Sequence, residues 1–273
     1  MKVTVLGSGS RGNSVLVESG GVRLLVDAGF SGRDMERRLA AAEVAPESVD
    51  ALLVTHDHSD HTRGMGVFAR RWGVPLYMTP PTHAACAKLL DGTERVLHYG
   101  STEAVEVGSL AVSPFLTVHD AVDPIAVTVV ERDTGEKLGI ATDLGRATTS
   151  VRHALQGCHL LILESNHDPI LLRESHYPWS VKSRISSAHG HLSNSSAAEL
   201  ATELYHPDLA SVVLAHLSEA ANDPELARDT VGAALERRRY RGRVRVATQE
   251  NPLETIDVGA LRLARQPQQL SLL

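Results

Sequence analysis

Cysteine is nearly absent: among 273 residues only Cys86, between two alanines, and Cys158, just ahead of the apolar run LLIL, carry a thiol. That excludes a disulfide-stapled fold and points to a reducing cytoplasm. No apolar run approaches the ~18 residues needed to span a bilayer. The opening MKVTVLGSGS lacks the basic and then apolar pattern of a secretory signal, so no membrane association is expected. Basic charge is also in short supply, with 27 Lys and Arg against 33 Asp and Glu and a formal net charge of −6. A protein that coats nucleic acid by bulk electrostatics is thereby excluded, although a local positive site is not. No fixed short repeat and no linker rich in Pro, Gly or Ser divides the chain. One domain over residues 1–260 is expected, with 261–273 a flexible tail ending in RQPQQLSLL.

What is present is a series of short alternating or all-apolar runs bounded by turns. KVTVLG, SVLVES, VRLLVDAG, ALLVTH, PLYMTP and SLAVSPFLTVH carry strand signals in the first half, and CHLLILES and SVVLAHL in the second. AVTVVERDTGEKLGIATD reads as a hairpin turning at DTGE. Helical patterns lie between them: SGRDMERRLAAA, with Ser31 and Asp34 placed as a capping box, SNSSAAELATELY and DPELARDTVGAALERRR. Two β-rich halves, each trailed by helices, predict an α/β protein of two packed sheets with helices outside.

The densest chemistry is THDHSDH, residues 55–61, at the end of a hydrophobic strand. Left unpaired and buried, these side chains would each cost several kcal/mol of desolvation. A divalent metal removes the difficulty, because neutral imidazoles and carboxylates are its ligands. His56 and His58 alternate and can point to one ion, while Asp60 and His61 can turn to a second. Each pair alone leaves its ion under-ligated. His119, Asp143 and His216 each follow another strand and would complete the two sites if the strand ends meet along one edge. Taken singly, each is as easily a satisfied core histidine or a turn aspartate.

His56, His58, Asp60 and His61 match the H-x-H-x-D-H motif of the metallo-β-lactamase superfamily, and the chain resembles it from about residue 1 to 257. The resemblance implies a four-layer αββα sandwich. It also implies one ion on His56, His58 and His119, a second on Asp60, His61 and His216, and Asp143 bridging. Asp27, in LLVDAG, matches a motif whose aspartate supports the ligands from outside; a plain turn aspartate is the alternative. Cys158, ahead of a buried strand, does not match the cysteine ligand of the drug-hydrolysing members.

AHGHLSNSSAAELA, 188–201, resembles a segment of the tRNA 3′-processing endonucleases, which implies that His191 meets the scissile phosphate and Glu164 pairs with it. Ser193 and Asn194 are good helix N-caps, so an anion could meet free N–H groups there. An ordinary cap with an incidental histidine is the alternative. The stretch from Asp143 to His216 is too short for the large insertion that RNA-processing relatives carry. GSGSRGNS, THDHSDH, LESNHD, YPWSVKSRI, GHLSN and LAHLSEAAN together resemble the WalJ (YycJ-like) family.

That family resemblance implies a 5′→3′ exonuclease on duplex DNA with a 5′ end. The ions, Zn2+ or Mn2+ with iron also compatible, would hold a bridging hydroxide that attacks phosphorus, with Asp60 orienting it and His191 stabilising charge or protonating the leaving oxygen. An RNA nuclease, a small-molecule hydrolase and a metal-binding regulatory protein are the other readings. In the glycine-rich loop Ser8, Ser10 and Asn13 are candidates for a terminal phosphate, a tight turn being the alternative. Lys182 and Arg184 are candidates for backbone contacts or members of a solvated face. ERRRYRGRVRV, 236–246, projects alternating arginines that either grip duplex DNA or protect a sheet edge.

Overall fold

The computed structural model describes residues 1–264 and contains two seven-stranded sheets. The first is built from β1 (Lys2–Gly7), β2 (Ser14–Ser19), β3 (Val22–Val26), β4 (Ala51–Leu53), β5 (Leu76–Met78) and β6 (Val96–His98), in that spatial order. The second runs β7 (Val105–Val107), β8 (Leu110–Leu116), β9 (Ile125–Glu131), β10 (Lys137–Ala141), β11 (Leu160–Glu164), β12 (Ser211–Ala215) and β13 (Arg243–Val246). The short β14 (Ile256–Asp257) returns to the first sheet and pairs with β1.

Side-chain alternation builds the layers, since successive residues of a strand face opposite sides of the sheet. Val15 and Val17 of β2, with Leu160 and Ile162 of β11 and Val213 of β12, join one cluster between the sheets. Their neighbours face outward. Leu16 packs with Met35, Leu39 and Phe68 of the helices Gly32–Ala41 and Met65–Trp72. Leu161, Leu163, Val212 and Leu214 pack with residues of the helices Thr149–Leu155, Asn194–Glu203 and Pro224–Arg237. Helices therefore cover both outer faces, and the αββα sandwich expected from the sequence is the observed fold.

Local signals set the helix starts. Ser31, Ser193 and Asp223 each cap a helix by accepting a backbone N–H, and Pro224 occupies the first turn behind Asp223. Asp34 does not complete a capping box: its carboxylate pairs with Arg37 and Arg38 instead. A further helix, Val258–Leu263, crosses residue 260, so the fold runs past the boundary read from the sequence; RQPQQLSLL lies outside the described residues. No helix among the described residues is long and apolar enough to cross a membrane.

Direction places the site. β3, β4 and β5 are mutually parallel, as are β10, β11 and β12, and β8 runs the same way as β10 through the antiparallel β9. Open sheets of this kind gather functional loops outside the carboxyl ends of parallel strands. Asp27, the 55–61 segment, His119, Asp143, Glu164 and His216 all lie at such ends.

Candidate metal centre and active-site cleft

Three residues at these strand ends hold strained backbone. Asp27, Asp143 and His216 have φ of 64°, 58° and 56°, in the left-handed region that non-glycine residues rarely visit. Asp27 and His216 directly follow the last residue of a strand and Asp143 comes one residue later, so the turn throws each side chain toward the shared edge. Such strain is held in place by surrounding contacts and concentrates at functional sites.

Four overlapping groups of ligand-type side chains result: His56, His58 and His119; Asp60, His61 and His216; His56, His61 and Asp143; and Asp143, Glu164, His191 and His216. Within each group one ligand atom per residue lies within 4.8 Å of the others. Asp143 is shared, with Oδ2 3.2 Å from His61 Nε2 and Oδ1 3.5 Å from His119 Nε2. His216 Nε2 lies 3.2 Å from Asp60 Oδ2.

Each imidazole is oriented by a partner on its outer nitrogen. His61 Nδ1 meets Asp27 Oδ2 at 2.7 Å, His216 Nδ1 meets Glu164 Oε1 at 3.0 Å and His119 Nδ1 meets the Gly190 carbonyl at 3.1 Å. His56 Nδ1 lies 3.0 Å from Thr55 Oγ1, whose proton goes to Asp27 Oδ2 at 2.9 Å. His58 Nε2 meets the Asp120 carbonyl at 3.2 Å. The remaining nitrogens point inward, the arrangement outer partners give to metal-binding histidines.

The donor set fits divalent metal. His56 Nε2 and Asp143 Oδ2 are buried with no hydrogen-bond partner among the described residues, a costly condition that an ion would relieve. Burial, reinforced by the neighbouring His61, holds the His56 imidazole well below its usual range and so keeps it neutral. Burial also opposes charge on His61, but the carboxylates of Asp143, Asp27 and Asp60 outweigh it and push that imidazole well up. A local concentration of carboxylates of this kind is what a cation would neutralise.

Glu164 is fully buried and saturated. Besides His216 it meets His191 Nδ1 at 2.8 Å and accepts from the backbone N–H groups of Asp143, Leu144 and Leu192. Burial alone would raise its carboxyl, but His191 and these partners bring it down to about 2. The Glu164–His191 pairing expected from the sequence is present, and the same carboxylate braces His216.

The other expected contacts divide. Ser10 and Arg184 line a cleft of about 250 Å³ with His58, Asp60, Asp143, His191 and His216. Ser8 and Asn13 do not face a substrate phosphate: Ser8 donates to Asn13 Oδ1 and accepts from the His216 N–H, while Asn13 Nδ2 reaches Asp60 Oδ2 at 3.2 Å. Both are buried braces of ligand residues. Lys182 turns its ammonium to the Arg173 carbonyl at 2.6 Å. Asn194 is buried, bonded to Ser165 and Asn222, and Ser193 spends its hydroxyl on the cap, so neither offers an open anion site. Arg243 pairs in register with Ser211, at the opposite end of β12 from His216, and no arginine of 236–246 lines the cleft. Cys86 and Cys158 are free and buried, their thiols pushed up by that burial to about 11 and about 12.

Residues 7–208 match the family model of the metallo-beta-lactamase superfamily. The chain belongs to the metallo-β-lactamase superfamily. It is a metal-dependent hydrolase of that superfamily, and within it lies in one family with two curated relatives. It is 36% identical to exodeoxyribonuclease YycJ of Bacillus anthracis over 239 residues, 87% of this chain and 90% of that one. It is 35% identical to exodeoxyribonuclease WalJ of Streptococcus pneumoniae over 236 residues, 84% and 86% of the two chains. Among solved structures the metallo-β-lactamase fold protein YhfI of Bacillus subtilis superposes with a TM-score of 0.72 at 20% identity, covering 93% of this chain and 99% of that one. Human tRNase Z, short form, gives 0.66 at 17% identity over 94% and 99%. At these identities the superfamily likeness in three dimensions is one of fold.

Proposed function

We propose that the chain is a dinuclear metal-dependent exonuclease that degrades duplex DNA from a 5′ end. The observation that carries the reading is the convergence of two ligand triads on Asp143: His56, His58 and His119 on one side, and Asp60, His61 and His216 on the other. The exodeoxyribonuclease activity for which the two relatives are named supports DNA as substrate. The two thiols, free and buried, agree with a cytoplasmic setting.

Two divalent ions, zinc or manganese by ligand type with iron also compatible, would supply Lewis acidity to the phosphoryl oxygens and an activated water. The chain's own contributions follow from the contacts. Asp60, fixed by Asn13 Nδ2 at 3.2 Å, holds a carboxylate at the cleft to orient the attacking water. His191, with Nδ1 on Glu164, presents Nε2 to the cleft, where it stabilises developing charge or protonates the leaving oxygen. Arg184, tethered to Asp120, adds positive charge at the rim for a phosphate.

The test compares the protein with His58→Ala on end-labelled duplex DNA carrying a 5′-phosphate or a 5′-hydroxyl, with single-stranded RNA alongside, under zinc or manganese. Stepwise loss of nucleotides from the 5′ end of DNA, abolished in the variant, is the expected result. Cleavage of RNA alone, or of neither nucleic acid by protein that carries metal, would contradict it.

A further inference from the structure

A chain of net charge −6 needs local cations to hold a polyanion, and among the described residues Arg184 is the one lysine or arginine that lines the cleft. Beside the cleft lies a second pocket, of about 410 Å³. The chain itself joins the two. Ser10 lines the cleft and Arg11 the pocket, with consecutive Cα atoms about 3.8 Å apart; Asp60 lines the cleft, and Arg63 of the same segment lines the pocket. Arg63 Nη1 donates to the Arg11 carbonyl at 3.2 Å, which ties the two segments together.

The pocket has a fixed floor and a cationic rim. Arg38, 4% exposed, lies over the Phe30 ring at 3.7 Å and spends its guanidinium on the carbonyls of Leu6 and Gln249 and on Asp34. Gln249 accepts the Arg11 N–H at 2.7 Å and donates to the Gly12 carbonyl at 2.9 Å. The glycine-rich loop is thus held by its backbone, while the Arg11 side chain stays 62% exposed. Arg37 and Arg63 are exposed as well. Arg37 pairs with Asp34 at 2.7 Å, and Arg11 with Glu219 at 2.7 Å and Glu250 at 3.3 Å. Exposed pairs are worth little, so a phosphate can compete for the guanidinium. Arg63 differs: its guanidinium meets a carbonyl and pairs with no carboxylate among the described residues.

We infer that this pocket is a phosphate site for the DNA strand beyond the bond being cut, with Arg63 as its anchor and Arg11 turning from Glu219 and Glu250 to the same phosphate. The inference rests on the proposed exonuclease activity. In such an enzyme the departing nucleotide sits at the metals and the rest of the strand's charge lies to one side, so a neighbouring cationic pocket keeps the duplex in place after each cut. Consecutive phosphates advance about 3.4 Å along the duplex axis, within reach of a pocket that begins one residue from the cleft lining. A guanidinium can give a phosphate two parallel N–H bonds, and such contacts position the strand without reading its sequence.

Arg63→Gln and Arg63→Lys test it on duplex DNA over a range of salt, with bis(p-nitrophenyl) phosphate as a diester that has no strand to hold. Arg63→Gln is expected to raise KM for the duplex about tenfold at low salt with kcat held, and to reduce the slope of log KM against log salt by about 0.9. Arg63→Lys should keep the parent's slope. Turnover of the small diester and metal content should match the parent's, and the KM defect should be equal on 5′-phosphate and 5′-hydroxyl ends. A parental salt slope in Arg63→Gln would overturn the inference. So would turnover of the small diester that falls with that of DNA, which would show that Arg63 only braces the Arg11 loop. A defect confined to 5′-phosphorylated ends would overturn it by assigning the pocket to the terminal phosphate. Parent protein that hydrolyses the small diester and leaves DNA intact would overturn the nuclease reading itself, and this site with it.

Discussion

His61 depends on its outer partner for direction. Asp27 Oδ2 takes its Nδ1 at 2.7 Å while Asp27 Oδ1 accepts the Thr55 N–H at 2.8 Å, so one carboxylate sets both the imidazole and the start of the ligand loop. Asp27→Ala is expected to weaken divalent metal binding by about 10–100-fold in a competition titration against a chromophoric chelator. Unchanged affinity would mean that packing alone aims the ring. His191 has a different task, touching the cleft without completing either triad. His191→Ala is expected to lower kcat by ~10²–10⁴ with metal content intact, measured on the same labelled duplex. At this scale the sequence shows the ligand-type residues themselves, because histidine and aspartate at strand ends announce their chemistry. It hides the Gly190 and Asp120 carbonyls that orient His119 and His58, since every residue has a carbonyl. It also misleads at Ser8, Asn13 and Asn194, whose polar side chains are spent inside the protein.

The loops at the strand ends are locked to one another through the backbone. Asn13 N donates to the Asp60 carbonyl, Gly29 N to the Asn13 carbonyl and Ala28 N to the His61 carbonyl. Gly29 permits this approach: a Cβ added there would sit 1.6 Å from the Asp60 oxygen. Gly29→Ala is therefore expected to destabilise by on the order of 3 kcal/mol and to weaken metal binding, because the 55–61 loop must move. Denaturant unfolding with and without metal checks both. The strands and their layer order were legible from alternating apolar residues, and the helix starts from Ser31, Ser193 and Asp223. The close crossing at Gly29 was not, because VDAGF looks like any turn until the distant loop is packed against it.

Across the whole molecule, acidic charge and a cation-seeking centre coexist because the carboxylates at the strand ends face inward. Acid should unfold the protein partly through His167, which is buried with an unpartnered Nδ1. Burial holds its imidazole at about 4, below the ordinary 6.5. A depressed folded-state value makes its contribution complete above pH 6.5 and progressively lost as the pH falls toward 4. His167→Gln is expected to lose less stability than the parent across that window, read by urea unfolding at each end; equal losses would assign the acid sensitivity elsewhere. The most direct measurement of the proposed dinuclear nuclease is the rate of nucleotide release from 5′-phosphorylated duplex DNA as metal-free protein is loaded with zinc or manganese. Release that climbs to a plateau at two equivalents per chain is the expected result. Full release at one equivalent, or none at any loading, would contradict it.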